Sequence, residues 1–224
     1  MAKFAFETLK MKKVAIMRDL KSDYSVGLAD VFAAKFKELG GEIVGDVTYQ
    51  SQDVDFKAQL TQLKSKGLEG LYIPGYYTEV GLIARQAREL GIKVPMMGGD
   101  GWDSPKLSEI GQTAIDGGYF SNHYSTESTD PAAVEFLKKF QAKYNKMADG
   151  LSSVAYDAAR ILAKAIENSP TMTSEGIRNE LAKIKDFPGA TGKISIDANR
   201  NAAKSAVVVQ VQGKTNKYVT TVNP

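Results

Sequence analysis

The chain has 224 residues, 43% hydrophobic and 25% charged, with a net charge of +3. This is the balance of an ordinary globular protein, long enough to bury a sizeable core as one large domain or two small lobes. Cysteine is absent, which excludes disulfides, thiol nucleophiles and cysteine metal sites. Basic residues are interleaved with acidic ones. Lys12-Lys13 and Lys138-Lys139 are adjacent pairs rather than the concentrated patch a nucleic-acid footprint needs. No run approaches the ~18 apolar residues of a membrane span, and Met1 to Met11 carries no signal-peptide core.

Ala2 to Lys10 reads as a short amphipathic helix bearing Phe4, Phe6 and Leu9. From Lys13 strands and helices then alternate. Lys13 to Met17 is an apolar run. The helix after it places Leu28, Val31, Phe32, Phe36 and Leu39 on one face at a 3.6-residue period. Gly40-Gly41 ends it, since glycine takes the left-handed conformation at little cost. Glu42 to Thr48 is the next strand. Asp53 or Asp55 is expected to cap a helix with Phe56, Leu60 and Leu63 inward, stopped by Gly67. Gly70 to Pro74 is the third strand. Thr78 to Leu90 is a helix with Val80, Ile83, Ala84, Ala87 and Leu90 inward, and Val94 to Met97 is the fourth strand. Alternation of this kind predicts right-handed βαβ units on a parallel sheet: an α/β, doubly wound lobe. A further helix starts near Ser104-Pro105, with Asp103 as its expected cap.

After Tyr124 the pattern changes to three amphipathic helices with no strands between them. The first begins at Pro131 and carries Val134, Leu137, Phe140 and Tyr144. The second runs from about Ser152 to Asn168 with Ala155, Ala159, Leu162 and Ile166 inward. The third is capped by Thr173 or Ser174 and reaches Lys185 with Ile177, Leu181 and Ile184. Two closing strands, Ser205 to Val211 and Lys217 to Val222, turn around Gly213.

In an open parallel sheet, ligands bind beyond the carboxyl ends of the strands. Tyr24 follows the first strand, Tyr76 and Tyr77 the third, and Asp100 and Trp102 the fourth. Aromatic walls beside one carboxylate suit an ammonium group with an apolar tail. Each residue also has a plainer reading. Tyr24 is a helix-start aromatic, one of the tyrosine pair points into the core, and Asp100 is a loop or cap aspartate. His123 is the only histidine, and a structural role is expected for it. No G-x-S-x-G, HExxH or Walker A pattern is present, and Asp53 with Asp55 reads as a capping pair. No acid/base or nucleophile set emerges, so an enzyme is not expected, and neither a metal nor a cofactor is implied.

Ile16 to Ala29, Ile73 to Glu79, Met97 to Asp103, Ala155-Tyr-Asp-Ala-Ala159 and Thr191-Gly-Lys-Ile194 resemble, in this order, the type I periplasmic binding proteins. More narrowly they are similar to the branched-chain amino-acid (Leu/Ile/Val) receptors of ABC importers. The resemblance implies two α/β lobes with an amino acid in the cleft. It implies ligand contacts from Tyr24 and from Tyr76 or Tyr77, an ammonium pairing with Asp100, and Trp102 as a neighbour. It implies a periplasmic or extracytoplasmic location and ABC permease subunits as partners. It further implies that the chain is shortened at its N-terminus. Residues 1–124 and 206–224 would be lobe two, and 125–205 the returning helical part of an incomplete lobe one. Half of the binding site would then be absent, and binding by the chain alone weak or lost. The uncovered helices 131–185 would favour a homodimer. The competing reading is a ligand-sensing domain of the same fold without a transport role.

Overall fold

The expected alternation takes the form of successive βαβ units in the computed structural model, which describes residues 1–223. In chain order these are β1 (Lys13–Asp19), α1 (Asp23–Glu38), β2 (Glu42–Tyr49), α2 (Lys57–Lys64), β3 (Gly70–Tyr72), α3 (Tyr77–Glu89), β4 (Met96–Gly98), α4 (Pro105–Gly111) and β5 (Tyr119–Asn122). They are followed by α5 (Pro131–Tyr144), α6 (Gly150–Asn168), α7 (Ser174–Leu181), β6 (Phe187–Gly189), β7 (Gly192–Ile196), β8 (Ala202–Ala203), β9 (Ala206–Gln212) and β10 (Thr215–Val222). The chain divides into two compact units. One holds Met1–Ser121 with Val208–Val219, and the other holds Asn122–Val207 with the residues from Thr220 onward.

The first unit is built on a seven-stranded sheet in the order β10-β9-β5-β4-β3-β1-β2. β1 pairs in parallel with both β2 and β3, and the parallel run continues through β4 to β5. The chain therefore leaves β1 to one side, returns, and builds outward on the other. This makes the gap between β1 and β3 the topological switch point. Side chains alternate across the sheet. Val14, Ile16, Tyr72 and Met97 join Ala29, Phe32 and Phe36 of α1 and the N-terminal residues in one core cluster. On the other face Leu63 of α2 lies so close over Gly45 that a Cβ there would stand 2.5 Å from it. Gly40 and Gly91 end their helices at φ +93° and +79°, where a side chain would be strained.

Several details differ from the sequence reading. The opening helix is wound more widely over Phe4–Thr8, with the Leu9 amide bonded to the Phe4 carbonyl five residues back. Val31, expected inward, is 69% exposed, because α1 is rotated to seat Ala29, Phe32 and Phe36. Phe56 rather than either aspartate precedes α2. Asp53 closes a turn onto the Gln50 amide, and Asp55 accepts from the Lys57 amide. Ser104, not Asp103, caps α4 through the Lys106 amide. β5 was not foreseen.

The second unit is not purely helical. α5 and α6 are capped by Asp130 and Asp149, whose carboxylates accept from the Ala132 and Ser152 amides at 2.9 and 2.7 Å. Thr173 caps α7, which ends at Leu181 rather than Lys185. A three-stranded sheet, β6-β7-β8, packs Ile194 against Ile161 and Ile184. α6 is turned away from its expected face. Ser153, Asp157, Ile161 and Ala165 are buried, while Ala155, Ala159 and Leu162 are exposed and Ile166 is half-buried. Asp157 sets this orientation. Its carboxylate accepts from the Ala190 amide at 2.7 Å and from the Thr191 amide and hydroxyl at 2.8 Å each, closing the turn between β6 and β7. A buried carboxylate must find donors, and three are supplied to Asp157 where it points inward. His123 follows β5, and its carbonyl accepts from the Lys204 ammonium at 3.1 Å.

Candidate functional site

The switch point gathers three of the five residues singled out from sequence. Ser22 caps α1 by accepting from the Ser25 amide, which places Tyr24 in the first helical turn directly after β1. Tyr76 immediately precedes α3, after β3. The rings of Tyr24 and Tyr76 stack with centroids 5.1 Å apart and planes inclined by 26°. Tyr76 remains 50% exposed, so its ring presents the accessible surface of the pair.

Asp100 opens a single 3₁₀ turn, Asp100–Trp102, after β4. The Tyr24 hydroxyl donates to its Oδ1 at 2.9 Å and accepts from the Gly101 amide at 2.8 Å. Burial, reinforced by the negative charge of Asp100, pushes the Tyr24 phenol above its ordinary range and keeps it protonated. The glycines of this loop are required by close approach. A Cβ on Gly99 would stand 2.8 Å from the Tyr24 hydroxyl, and one on Gly101 would stand 2.8 Å from the Gly75 carbonyl oxygen.

Trp102 has a different place from the one expected. It is fully buried, with 0% exposure, and its indole Nε1 donates to the Ile73 carbonyl at 3.0 Å. The ring lies against Gly98, where a Cβ would overlap it, and is tilted toward Phe120. It supports the loop from beneath and offers no surface to a ligand. The reason is the tight turn: two residues after Asp100 the chain has rotated back toward the sheet. Tyr77, the first residue of α3, is half-buried and has no part in the Tyr24–Tyr76 stack.

Sequence reasoning passed over a neighbouring group. Tyr49 ends β2, and a Cβ on Gly75 would overlap its hydroxyl. Burial and the carboxylates of Asp19 and Glu79 push its phenol upward. Both carboxylates are themselves buried. Asp19 accepts from the Lys21 amide at 3.0 Å, and Glu79 accepts from the Gln52 amide at 2.9 Å. The strand expected from sequence stops at Thr48, one residue short of Tyr49, so no local signal singles the phenol out. Among the described residues, no three His, Asp or Glu side chains are gathered as a metal site would require, and no helix is long and apolar enough to cross a membrane.

The aromatic pair and the braced carboxylate thus lie together at the switch point of an open, mostly parallel sheet. The sequence profile of the periplasmic binding protein family matches residues 1–216. The chain belongs to the periplasmic binding protein family. Among curated relatives it is 33% identical over 199 residues to Leu/Ile/Val-binding protein homolog 3 of Brucella melitensis, and 35% identical over 198 residues to Leu/Ile/Val-binding protein BraC3 of Rhizobium johnstonii. Each alignment covers 87% of this chain and 52% of the relative, so the chain spans about half the length of these relatives. Among solved structures it is similar to the leucine binding protein LivK of Thermotoga maritima, with 41% identity and a TM-score of 0.94. That match covers 100% of this chain and 64% of LivK. It is also similar to LivJ of Streptococcus pneumoniae, solved in complex with isoleucine, with 35% identity and a TM-score of 0.84. There the coverage is 97% of this chain and 63% of LivJ. The periplasmic binding fold of this chain, with its parallel-dominated sheet, follows from these matches and from the topology together.

Proposed function

We propose that this chain is part of an extracytoplasmic receptor that binds a branched-chain or similar aliphatic amino acid and delivers it to the permease of an ABC importer. The observation that carries the reading is the Asp100 carboxylate, held by Tyr24 beside the exposed Tyr76 ring at the switch point. A fixed carboxylate suits the ligand ammonium, and an aromatic face suits an aliphatic side chain. The names of the relatives, Leu/Ile/Val-binding proteins, support the same ligand class. In this reading the protein acts by binding rather than catalysis. Residues 1–124 with 206–224 serve as lobe two of the receptor, and 125–205 as the returning part of lobe one.

The test is a titration of the chain with leucine and with alanine, followed by NMR at the backbone amides of Gly99 and Gly101. That readout registers complexes as weak as a Kd of roughly millimolar. Saturable shifts are expected, at lower concentration for leucine, because it covers more apolar area on Tyr76. Tyr76→Ala should narrow the difference between the two ligands. Absence of shifts from this chain would show that half of the site does not suffice for binding, and absence of leucine binding by the full-length receptor as well would remove the amino-acid reading.

A second association is proposed for α6. Leu151, Ala155, Ala158, Ala159 and Leu162 face outward at spacings of three and four residues, forming an apolar stripe. Its small central residues allow another helix to approach closely, and a second copy of the chain offers an identical, self-complementary stripe.

A further inference from the structure

We infer that Tyr24 is a positioning residue for the amino-acid anchor, acting through the Asp100 carboxylate rather than by donating a hydrogen bond to the ligand. This rests on the amino-acid reading of the site. A protonated tyrosine hydroxyl has one proton to donate. Here that proton goes to Asp100 Oδ1 at 2.9 Å, and an oxygen lone pair takes the Gly101 N–H at 2.8 Å. Both bonds lie within one turn of the same loop. The phenol therefore ties the direction of the Asp100 carboxylate to the backbone that carries it.

The packing around the hydroxyl supports the same assignment. Gly99 and Gly101 leave the hydroxyl room, since a Cβ on either would stand 2.8 and 3.1 Å from it. One face of the ring is taken by the stack with Tyr76. The far end of the loop is held independently by the Trp102 indole on the Ile73 carbonyl. The loop that carries Asp100 is thus held by Tyr24 of α1 at one end and by the segment after β3 at the other. A carboxylate fixed before the ligand arrives loses less freedom on binding, which is how a positioning residue raises affinity without touching the ligand.

The experiment is a double-mutant cycle read as leucine affinity by the same NMR titration, with Tyr24→Phe, Asp100→Asn and the double variant. Phenylalanine keeps the ring stack and removes only the hydroxyl. Tyr24→Phe should weaken leucine binding about fivefold in the chain that retains Asp100, the scale of one hydrogen bond. It should change affinity less than about twofold where Asp100 is already substituted, because its action runs through that carboxylate. Where Asp100→Asn lowers affinity beyond the titration, the cycle is repeated on Asp100→Glu, whose longer side chain displaces the carboxylate from Tyr24, and the same contrast is expected. Equal losses in both backgrounds would overturn the inference by making the hydroxyl a direct ligand contact, and no loss in either would overturn it by making Tyr24 a packing residue. Where the unsubstituted chain does not bind leucine, the cycle is run in the full-length receptor, and failure of that receptor to bind leucine would overturn the amino-acid reading itself, a result obtained before any variant is made.

Discussion

A carboxylate that accepts from a neutral phenol keeps both its charge and its direction, and that combination is what a ligand ammonium requires. If Asp100 is the anchor, Asp100→Asn preserves shape and removes charge. Truncating one partner of a hydrogen-bonded charge pair costs on the order of 2–5 kcal/mol. In the complete receptor, leucine affinity should therefore fall at least ~30-fold, by roughly 2 kcal/mol, and a titration showing unchanged affinity would take Asp100 out of the site. The phenols make a separate prediction. Tyr24, Tyr49 and Tyr72 are all pushed upward, each first by burial. A phenol raised in the folded state contributes stability that is fully present below its unfolded value of about 10 and is lost as pH rises above it. Stability should thus decline above about pH 10. Absorbance titration should show part of the ten tyrosines ionising only together with unfolding. Ionisation of every tyrosine near its ordinary value, with the far-ultraviolet spectrum intact, would contradict the buried hydroxyls.

At the level of elements, α6 separates pattern from context. Its most apolar stripe by sequence runs through Ala155, Leu162 and Ile166, yet Asp157 needs the Ala190 and Thr191 donors, so the helix turns Ser153, Asp157, Ile161 and Ala165 inward. Ile161→Ala should destabilise the second unit by about 2–5 kcal/mol, as for other buried Ile truncations. Leu162→Lys, at a position 45% exposed, should change the melting temperature little. The opposite ranking in thermal denaturation would restore the face expected from periodicity. The same contrast shows what the sequence makes legible. Long periodic helices and the strand ends that carry Tyr24, Tyr76 and Asp100 were readable because each has a local signature. The short strands β6 to β8 were not, although their pairing is local, Phe187 with Ile194 and Ser195 with Ala203, since Pro188, Gly189 and Gly192 read as turn residues and runs this short show no alternating pattern. The burial of Trp102 was equally hidden, because it depends on the Ile73 carbonyl, just after β3, reaching its indole from a segment distant in sequence.

For the whole molecule, the outward stripe of α6 sets an expectation for behaviour in solution. A net charge of +3 on 224 residues gives only weak mutual repulsion between copies. The stripe runs from Leu151 to Leu162 with alanines at its centre, so two α6 helices can lie antiparallel across a two-fold axis and cover each other's leucines. Contact of this kind is driven by apolar area, at about 25 cal/mol per Å² removed from water, and screening by salt should leave it intact. Sedimentation should therefore show a monomer–dimer equilibrium that persists at high ionic strength. Leu162→Lys should shift that equilibrium to monomer while the melting temperature of the chain stays near its original value, since the substituted side chain already faces solvent. Ala158→Glu offers an independent disruption at the centre of the stripe, where a charge brought against its own copy would repel. A chain that sediments as a monomer at every soluble concentration, or a dimer that both substitutions leave intact, would place the association elsewhere and leave the stripe without a partner in a second copy.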